Sequence, residues 1–220
     1  MENSIQRIDL GLVNCFLIKG NKWIMIDTGI PGQMASIKRY LERKGIALNE
    51  IELIILSHAH FDHAGNAYKL KEKTGAKIAI HQLDKGWLEA GQSLYPKGRT
   101  LLGKILSSIG RSIPSINFTP VIPDIIVSDE GMSLEEYGIP GRIIHTPGHT
   151  SGSTSVLLET GDALVGDLAM SARFMQFSPG LSIFAENEDN LASSLDRLIN
   201  AGVKMIYPAH GRPFSADVFK

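Results

Sequence analysis

Cysteine is nearly missing from this 220-residue chain, with Cys15 the only one. No intrachain disulfide can form, and a metal site cannot draw on paired thiolates, so it must be built from His and Asp. In Val13-Asn14-Cys15-Phe16-Leu17-Ile18, Cys15 reads as a small buried hydrophobe on a strand. Long apolar runs are also missing; the longest are strand-length, which excludes a membrane span. There is no basic run and the formal net charge is -1, which argues against nucleic acid or an anionic membrane as a partner. The start, Met1 to Asp9, lacks the apolar core of a signal peptide, so the cytoplasm is the expected location. No repeat of fixed period, no low-complexity segment and no nucleophile-elbow motif is found. What is present is ordinary globular composition, 43% hydrophobic and 20% charged, in a length that suits one domain over residues 1–220.

Strands at Val13–Ile18 and Trp23–Asp27 flank the turn Lys19-Gly20-Asn21-Lys22. Pro31 and Gly32 then open a helix to about Lys44, with Met34, Ile37 and Leu41 on one face and Gly45 as its stop. Ile51–Leu56 reads as a buried strand, Ala64 to Lys73 as a helix, and Lys77–Ile80 as a short strand. Residues 87–123 are broken repeatedly by Gly and Pro yet carry Trp87, Leu94, Tyr95, Leu101, Leu102 and Phe118, with helical fragments such as Leu101–Ile109. An apolar, interrupted insertion of this kind is a candidate cap over a site, or a contact between two copies in a homodimer. The second half repeats the style of the first. Ile125–Val127, Arg142–Ile144, Thr154–Leu158, Ala163–Val165 and Val203–Tyr207 read as strands, and a helix capped by Asn187 runs to about Asn200. Strands followed by a helix in each half predict an α+β fold with two sheets face to face and helices outside.

The run Ser57-His58-Ala59-His60-Phe61-Asp62-His63-Ala64-Gly65 stands directly after the buried strand Ile51–Leu56. Strand ends of this type carry sites in α/β proteins. A continuing strand would send His58 and His60 to one face and His63 to the other, so a loop is needed to turn them inward together. Three imidazoles and a carboxylate are too many for one short turn to aim at a single tetrahedral ion, and two divalent ions are the more natural reading. Completion requires further His and Asp at strand ends. Thr146-Pro147-Gly148-His149-Thr150, Gly166-Asp167 and Pro208-Ala209-His210-Gly211 supply them. Pro147 and Gly148 forbid a regular helix and project His149 from a turn.

With these motifs in order, the chain resembles the metallo-β-lactamase superfamily of metallohydrolases. The His-x-His-x-Asp-His motif stands as His58, His60, Asp62 and His63, followed by His149, Asp167 and His210, and Asp27-Thr28-Gly29 matches an early family feature. The resemblance implies an αββα sandwich with the site along one edge between the sheets. It implies that His58, His60 and His149 hold one ion and that Asp62, His63 and His210 hold a second, with Asp167 bridging. Zinc stands ahead of iron or manganese as the metal. It further implies a hydrolase whose nucleophile is a metal-bridging hydroxide, with Asp62 as the catalytic residue that orients it. Asp27 has no metal role in that pattern, and it reads as an acceptor that satisfies backbone donors or orients a ligand histidine. His81 and His145 fall outside the motifs and read as structural.

Departures narrow the substrate. His60 stands where flavodiiron proteins carry Glu. The chain ends ten residues after His210, without the C-terminal helical segment of glyoxalase II. The His-rich loop is close to that of N-acyl-homoserine lactonases, but many members share it. A small ester, thioester or lactone is therefore the expected substrate. An iron-dependent oxidoreductase acting on sulfur or oxygen substrates, a phosphodiesterase, and a non-catalytic binding domain are the alternatives. Arg173, Phe174, Phe177, Tyr95 and Arg99 are candidates for the pocket wall.

Overall fold

A computed structural model describes residues 5–93, 95–112, 117–173 and 178–220. The first sheet runs in chain order through β1 (Ile5–Asp9), β2 (Asn14–Lys19), β3 (Trp23–Ile26), β4 (Ile51–Ile55), β5 (Lys77–His81) and β6 (Ile125–Val127). Its first three strands pair antiparallel across tight connections. The pairs from β3 to β6 are parallel, and their crossovers carry α1 (Met34–Arg43), α2 (Phe61–Ala64), α3 (Ala67–Thr74), α4 (Lys85–Ala90) and α5 (Leu101–Arg111). The second sheet contains β7 (Met132–Ser133), β8 (Gly141–His145), β9 (Thr154–Leu158) and β10 (Asp162–Gly166). A two-stranded ladder, β11 (Ala169–Met170) with β12 (Gly180–Leu181), and then α6 (Glu188–Asn200) precede β13 (Met205–Pro208) and β14 (Phe214–Ser215). The order of the second sheet is β14-β13-β10-β9-β8-β7, with β13 parallel to β10.

Strand alternation builds three apolar layers. In β4, Leu53 and Ile55 face the second sheet, where they meet Ile143, Val156 and Leu164, while Ile54 faces outward onto Ile37 and Leu41 of α1 and Leu70 of α3. On the far side Ala163 and Val165 of β10 pack on Leu191, Leu195 and Leu198 of α6. Each fully buried Leu or Ile stabilises the fold by about 1.5–3 kcal/mol relative to exposure. The result is the αββα sandwich, with Cys15 fully buried in the layer beneath α1.

Two local expectations are corrected. Ile125–Val127 joins the first sheet beside β5, because its register places Ile126 opposite Ile80; the sequence carries no mark of which half a three-residue strand pairs with. The His-rich segment is a loop only through His60. It then closes into the single turn of α2, so Asp62 and His63 sit on a helix whose amides at His63 and Ala64 bond back to the His60 carbonyl.

Candidate metal centre

Every one of the seven motif residues lies at the carboxyl end of a strand or just beyond it, on the edge where the two sheets meet. His58 and His60 follow β4, Asp62 and His63 ride on α2, His149 follows β8, Asp167 follows β10, and His210 follows β13. The Thr-Pro-Gly turn requires its glycine: Gly148 has φ +138, and a Cβ there would stand 2.3 Å from the Leu191 amide nitrogen. The turn is thereby held against the N-terminal end of α6.

Two groups form. His60 Nδ1 lies 2.9 Å from His58 Nε2 and 3.0 Å from His149 Nε2, so three imidazole nitrogens converge. His210 Nε2 lies 3.3 Å from Asp62 Oδ2, and His63 Nε2 lies 3.8 Å from the same oxygen. Asp167 sits between the groups. Its Oδ1 is 3.5 Å from His63 Nε2 and 3.4 Å from His210 Nε2, while its Oδ2 is 3.4 Å from His149 Nε2.

The outer ring nitrogens of His58, His63, His149 and His210 have partners, and these fix which nitrogen of each ring faces inward. His210 Nδ1 donates to the Leu12 carbonyl at 2.7 Å, and His149 Nδ1 donates to the Phe184 carbonyl at 3.3 Å. His63 Nδ1 donates to Asp27 Oδ2 at 2.8 Å. Asp27 also accepts from the Ser57 amide and hydroxyl, both at 2.8 Å, and the Ser57 hydroxyl in turn lies 3.1 Å from His58 Nδ1. The carboxylate at the start of the Asp-Thr-Gly turn thus backs one histidine of each group.

The electrostatics divide the same way. Burial, together with the neighbouring imidazoles, pushes His58 well below its ordinary range and His60 down to about 3, so both are neutral and present lone pairs. Burial lowers His149 as well. Burial opposes charge on His63 and His210 too, but the carboxylates outweigh it. Asp27, Asp62 and Asp167 hold His63 well above its usual value, and Asp167 and Asp62 raise His210 to about 10. Three buried or half-buried carboxylates therefore demand cationic charge at this point. His63 Nε2 and Asp167 Oδ1 are buried and make no hydrogen bond. Inward lone pairs, anchored outer nitrogens and orphaned inward atoms are the donor set of a divalent-metal centre, and the residues fit one.

His81 and His145 meet elsewhere, beside Asp129. His81 Nε2 is 3.2 Å and His145 Nδ1 is 3.6 Å from Asp129 Oδ1. Their rings are stacked 3.9 Å apart at 13°. Imidazole lone pairs lie in the ring plane, so two nearly parallel rings cannot both aim at one ion, and this trio does not make a second metal centre as placed.

Sequence reasoning passed over Asp84. Its buried carboxylate accepts from the Ala59 amide at 2.9 Å, the Gly152 amide at 3.1 Å and the Thr150 hydroxyl at 3.1 Å. It ties the loop bearing His58 and His60 to the turn bearing His149. The strand-end pattern extends to it, since it follows β5 by three residues. Asp84→Ala leaves buried donors unpaired at about 1–3 kcal/mol each. Thermal melting is expected to fall by roughly 5 °C or more, with a matching loss of metal affinity; unchanged melting and affinity would show that the tie does not matter.

A cavity of about 190 Å³ opens onto this edge, and Asp62, Asp167 and His210 stand beside Phe61, Tyr95 and Phe184 in its wall. Pro96 and Leu106 close it, so the interrupted insertion does border the site. Of the other wall candidates, Arg99 is committed elsewhere, its Nε donating to the Ser182 carbonyl at 2.8 Å. Arg173 lies in a separate cleft with Arg7 and Arg212. Phe174 and Phe177, like Leu94 of the insertion, fall outside the described residues.

A family model, the metallo-beta-lactamase superfamily, matches residues 8–210. A probable metallo-hydrolase of Methanocaldococcus jannaschii is 32% identical over 203 residues, covering 90% of this chain and 87% of that protein. Among solved structures, the BLEG-1 B3 metallo-beta-lactamase superposes with a TM-score of 0.72 at 19% identity, covering 97% of this chain and 95% of that one. The class B3 di-zinc metallo-beta-lactamase LRA-12, from an Alaskan soil metagenome, does so with 0.69 at 21%, covering 94% and 76%. At those identities the likeness is one of fold.

Proposed function

The chain belongs to the metallo-β-lactamase superfamily, and from that premise we propose that it hydrolyses a small ester, thioester or lactone with two divalent ions, zinc ahead of iron or manganese. The observation that carries this reading is the position of Asp167, with one oxygen toward His63 and His210 and the other toward His149. One ion would be held by His58, His60 and His149 and the other by Asp62, His63 and His210, with Asp167 common to both. Ions so held supply Lewis acidity, which lowers the pKa of a water toward neutrality and polarises a scissile carbonyl.

The chain's own residues do the rest. Asp62 is the most exposed of the ligand set, with its side chain 18% accessible, and it lines the cavity. Burial would raise its carboxyl, but His63 and His210 outweigh this and hold it at about 2. An ionised carboxylate in the cavity wall accepts a hydrogen bond from a water and so orients it. Phe61, Tyr95, Pro96, Leu106 and Phe184 exclude solvent around the reacting group, and no Lys or Arg stands among the described residues of that wall. A neutral carbonyl flanked by apolar groups suits such a wall better than a phosphodiester does.

Metal analysis of protein purified without added metal, followed by a substrate panel, tests the reading. About two zinc per chain are expected. Chelation should abolish hydrolysis and zinc should restore it, with esters, thioesters or lactones turned over ahead of phosphodiesters. About one iron per chain, with oxygen uptake on thiol or persulfide substrates, would overturn it.

A further inference from the structure

Helix α5, Leu101-Leu102-Gly103-Lys104-Ile105-Leu106-Ser107-Ser108-Ile109-Gly110-Arg111, is packed inside out. Its small residues face the body of the protein. Gly103 lies so close to the Ile183 carbonyl that a Cβ would stand 2.2 Å from that oxygen, and Gly110 lies as close to the ring of Tyr95. Ser107 is buried, and its hydroxyl donates to the Pro96 carbonyl at 2.7 Å. The large apolar side chains face away: Leu101, Leu102, Ile105, Leu106 and Ile109 are between 37% and 78% exposed. At 3.6 residues per turn these five cover an arc of about 140°. A helix turned to bury its apolar face would show the opposite pattern.

The flank next to that arc is cationic. Lys97 and Lys104 are exposed and border an open groove of about 470 Å³ together with Ser107, Ser108 and Ser112. The whole segment from Ala90 to Pro123 contains Lys97, Arg99, Lys104 and Arg111 and no Asp or Glu, a local charge of +4 in a chain whose net charge is -1. An apolar arc rimmed by a lysine- and hydroxyl-lined groove matches the acyl region and the phosphate headgroups of an anionic bilayer.

We infer that α5 and its cationic groove dock this protein onto an anionic phospholipid surface. The charge decides between this and self-association, because two copies meeting through α5 would bring two acid-free, +4 segments together. The expectation of no membrane partner rested on whole-chain charge and on the lack of a spanning segment, and neither bears on a helix that lies in the interface. No helix among the described residues is long and apolar enough to cross a membrane. Leu106 stands at the edge of the apolar arc and also in the wall of the cavity, so docking would present the mouth of the metal centre to the lipid.

Co-sedimentation with vesicles of phosphatidylcholine alone, and of an equimolar mixture with phosphatidylglycerol, tests this. The protein should pellet with the mixed vesicles only, and added salt should release it. Ile105→Glu with Ile109→Glu changes exposed side chains, so melting should be unchanged while partition falls at least tenfold. Lys97→Ala with Lys104→Ala should weaken partition roughly 30-fold. Failure of the unaltered protein to pellet, or partition that ignores vesicle charge and both variants, would overturn the inference. So would a dimer in light scattering that Ile105→Glu with Ile109→Glu dissociates, in protein that binds no vesicles; the face would then join two copies of the chain.

Discussion

Replacing Asp167 by Asn is expected to lower hydrolysis roughly 10³-fold or more and to leave the purified protein short of metal. The substitution keeps the volume of a buried side chain and removes only charge and one acceptor. Asp167 Oδ1 faces His63 and His210, and Oδ2 faces His149. An amide can offer oxygen in one of these directions only. The other then receives an N–H, which has no lone pair to offer and cannot ligate a metal. The variant also loses the charge that, with Asp62, raises His210 to about 10. His210 then carries its proton less readily, and the site draws a cation less strongly. Because ligation must displace protons from His63 and His210, metal affinity of the unaltered protein should rise with pH up to the folded-state pKa of His210, and this slope should be shallower in the variant. Metal content by elemental analysis and turnover of the best ester or lactone check the prediction. Full metal content with full activity would remove Asp167 from its proposed bridging place.

Much of this centre is legible in the sequence because its parts are separable. β4 is apolar but for Glu52, β8, β10 and β13 each carry enough apolar residues to be read as strands, and each is followed within four residues by a motif His or Asp. The physics that buries a strand also leaves its end at the sheet edge, so position along the chain converts to position in space. The cap of α6 reads equally well, since Asn187 does accept from the Asn190 amide as a capping residue should. Legibility fails where the outcome depends on what packs opposite. Nothing local in Ile125-Ile126-Val127 says that it will pair with β5. The helical period of residues 101–111 shows that a helix forms but not which face turns inward. Here glycine and serine allow so close an approach that the small face wins, and the leucines and isoleucines are left outside. Asp84 was hidden for a related reason: its role exists only once Ala59 and Gly152, far apart in sequence, lie within reach of one carboxylate.

Asp27→Asn should separate orientation of the metal centre from construction of it. Asp27 is the only described non-glycine residue with positive φ, at +59. Asn tolerates that left-handed conformation about as well as Asp, so the backbone should survive the change. The accepting pattern should not survive it. Asp27 takes the Ser57 amide on Oδ1 and both the Ser57 hydroxyl and His63 Nδ1 on Oδ2. An amide nitrogen at the second position would oppose the N–H of His63 and release its ring. The Ser57 hydroxyl would lose the acceptor that fixes it near His58 Nδ1, so a histidine of each proposed ion group is loosened at once. The expected result is a metal affinity lower by roughly 10–100-fold, with activity largely recovered at saturating zinc. Asp167→Asn should not be recovered in that way. Asp27→Gly sharpens the comparison, because glycine adopts positive φ without strain and offers no acceptor. Its affinity should fall at least as far as that of Asp27→Asn. If Asp27→Gly instead bound metal normally, the Asp27 carboxylate would be relieving a folding constraint rather than aiming His63.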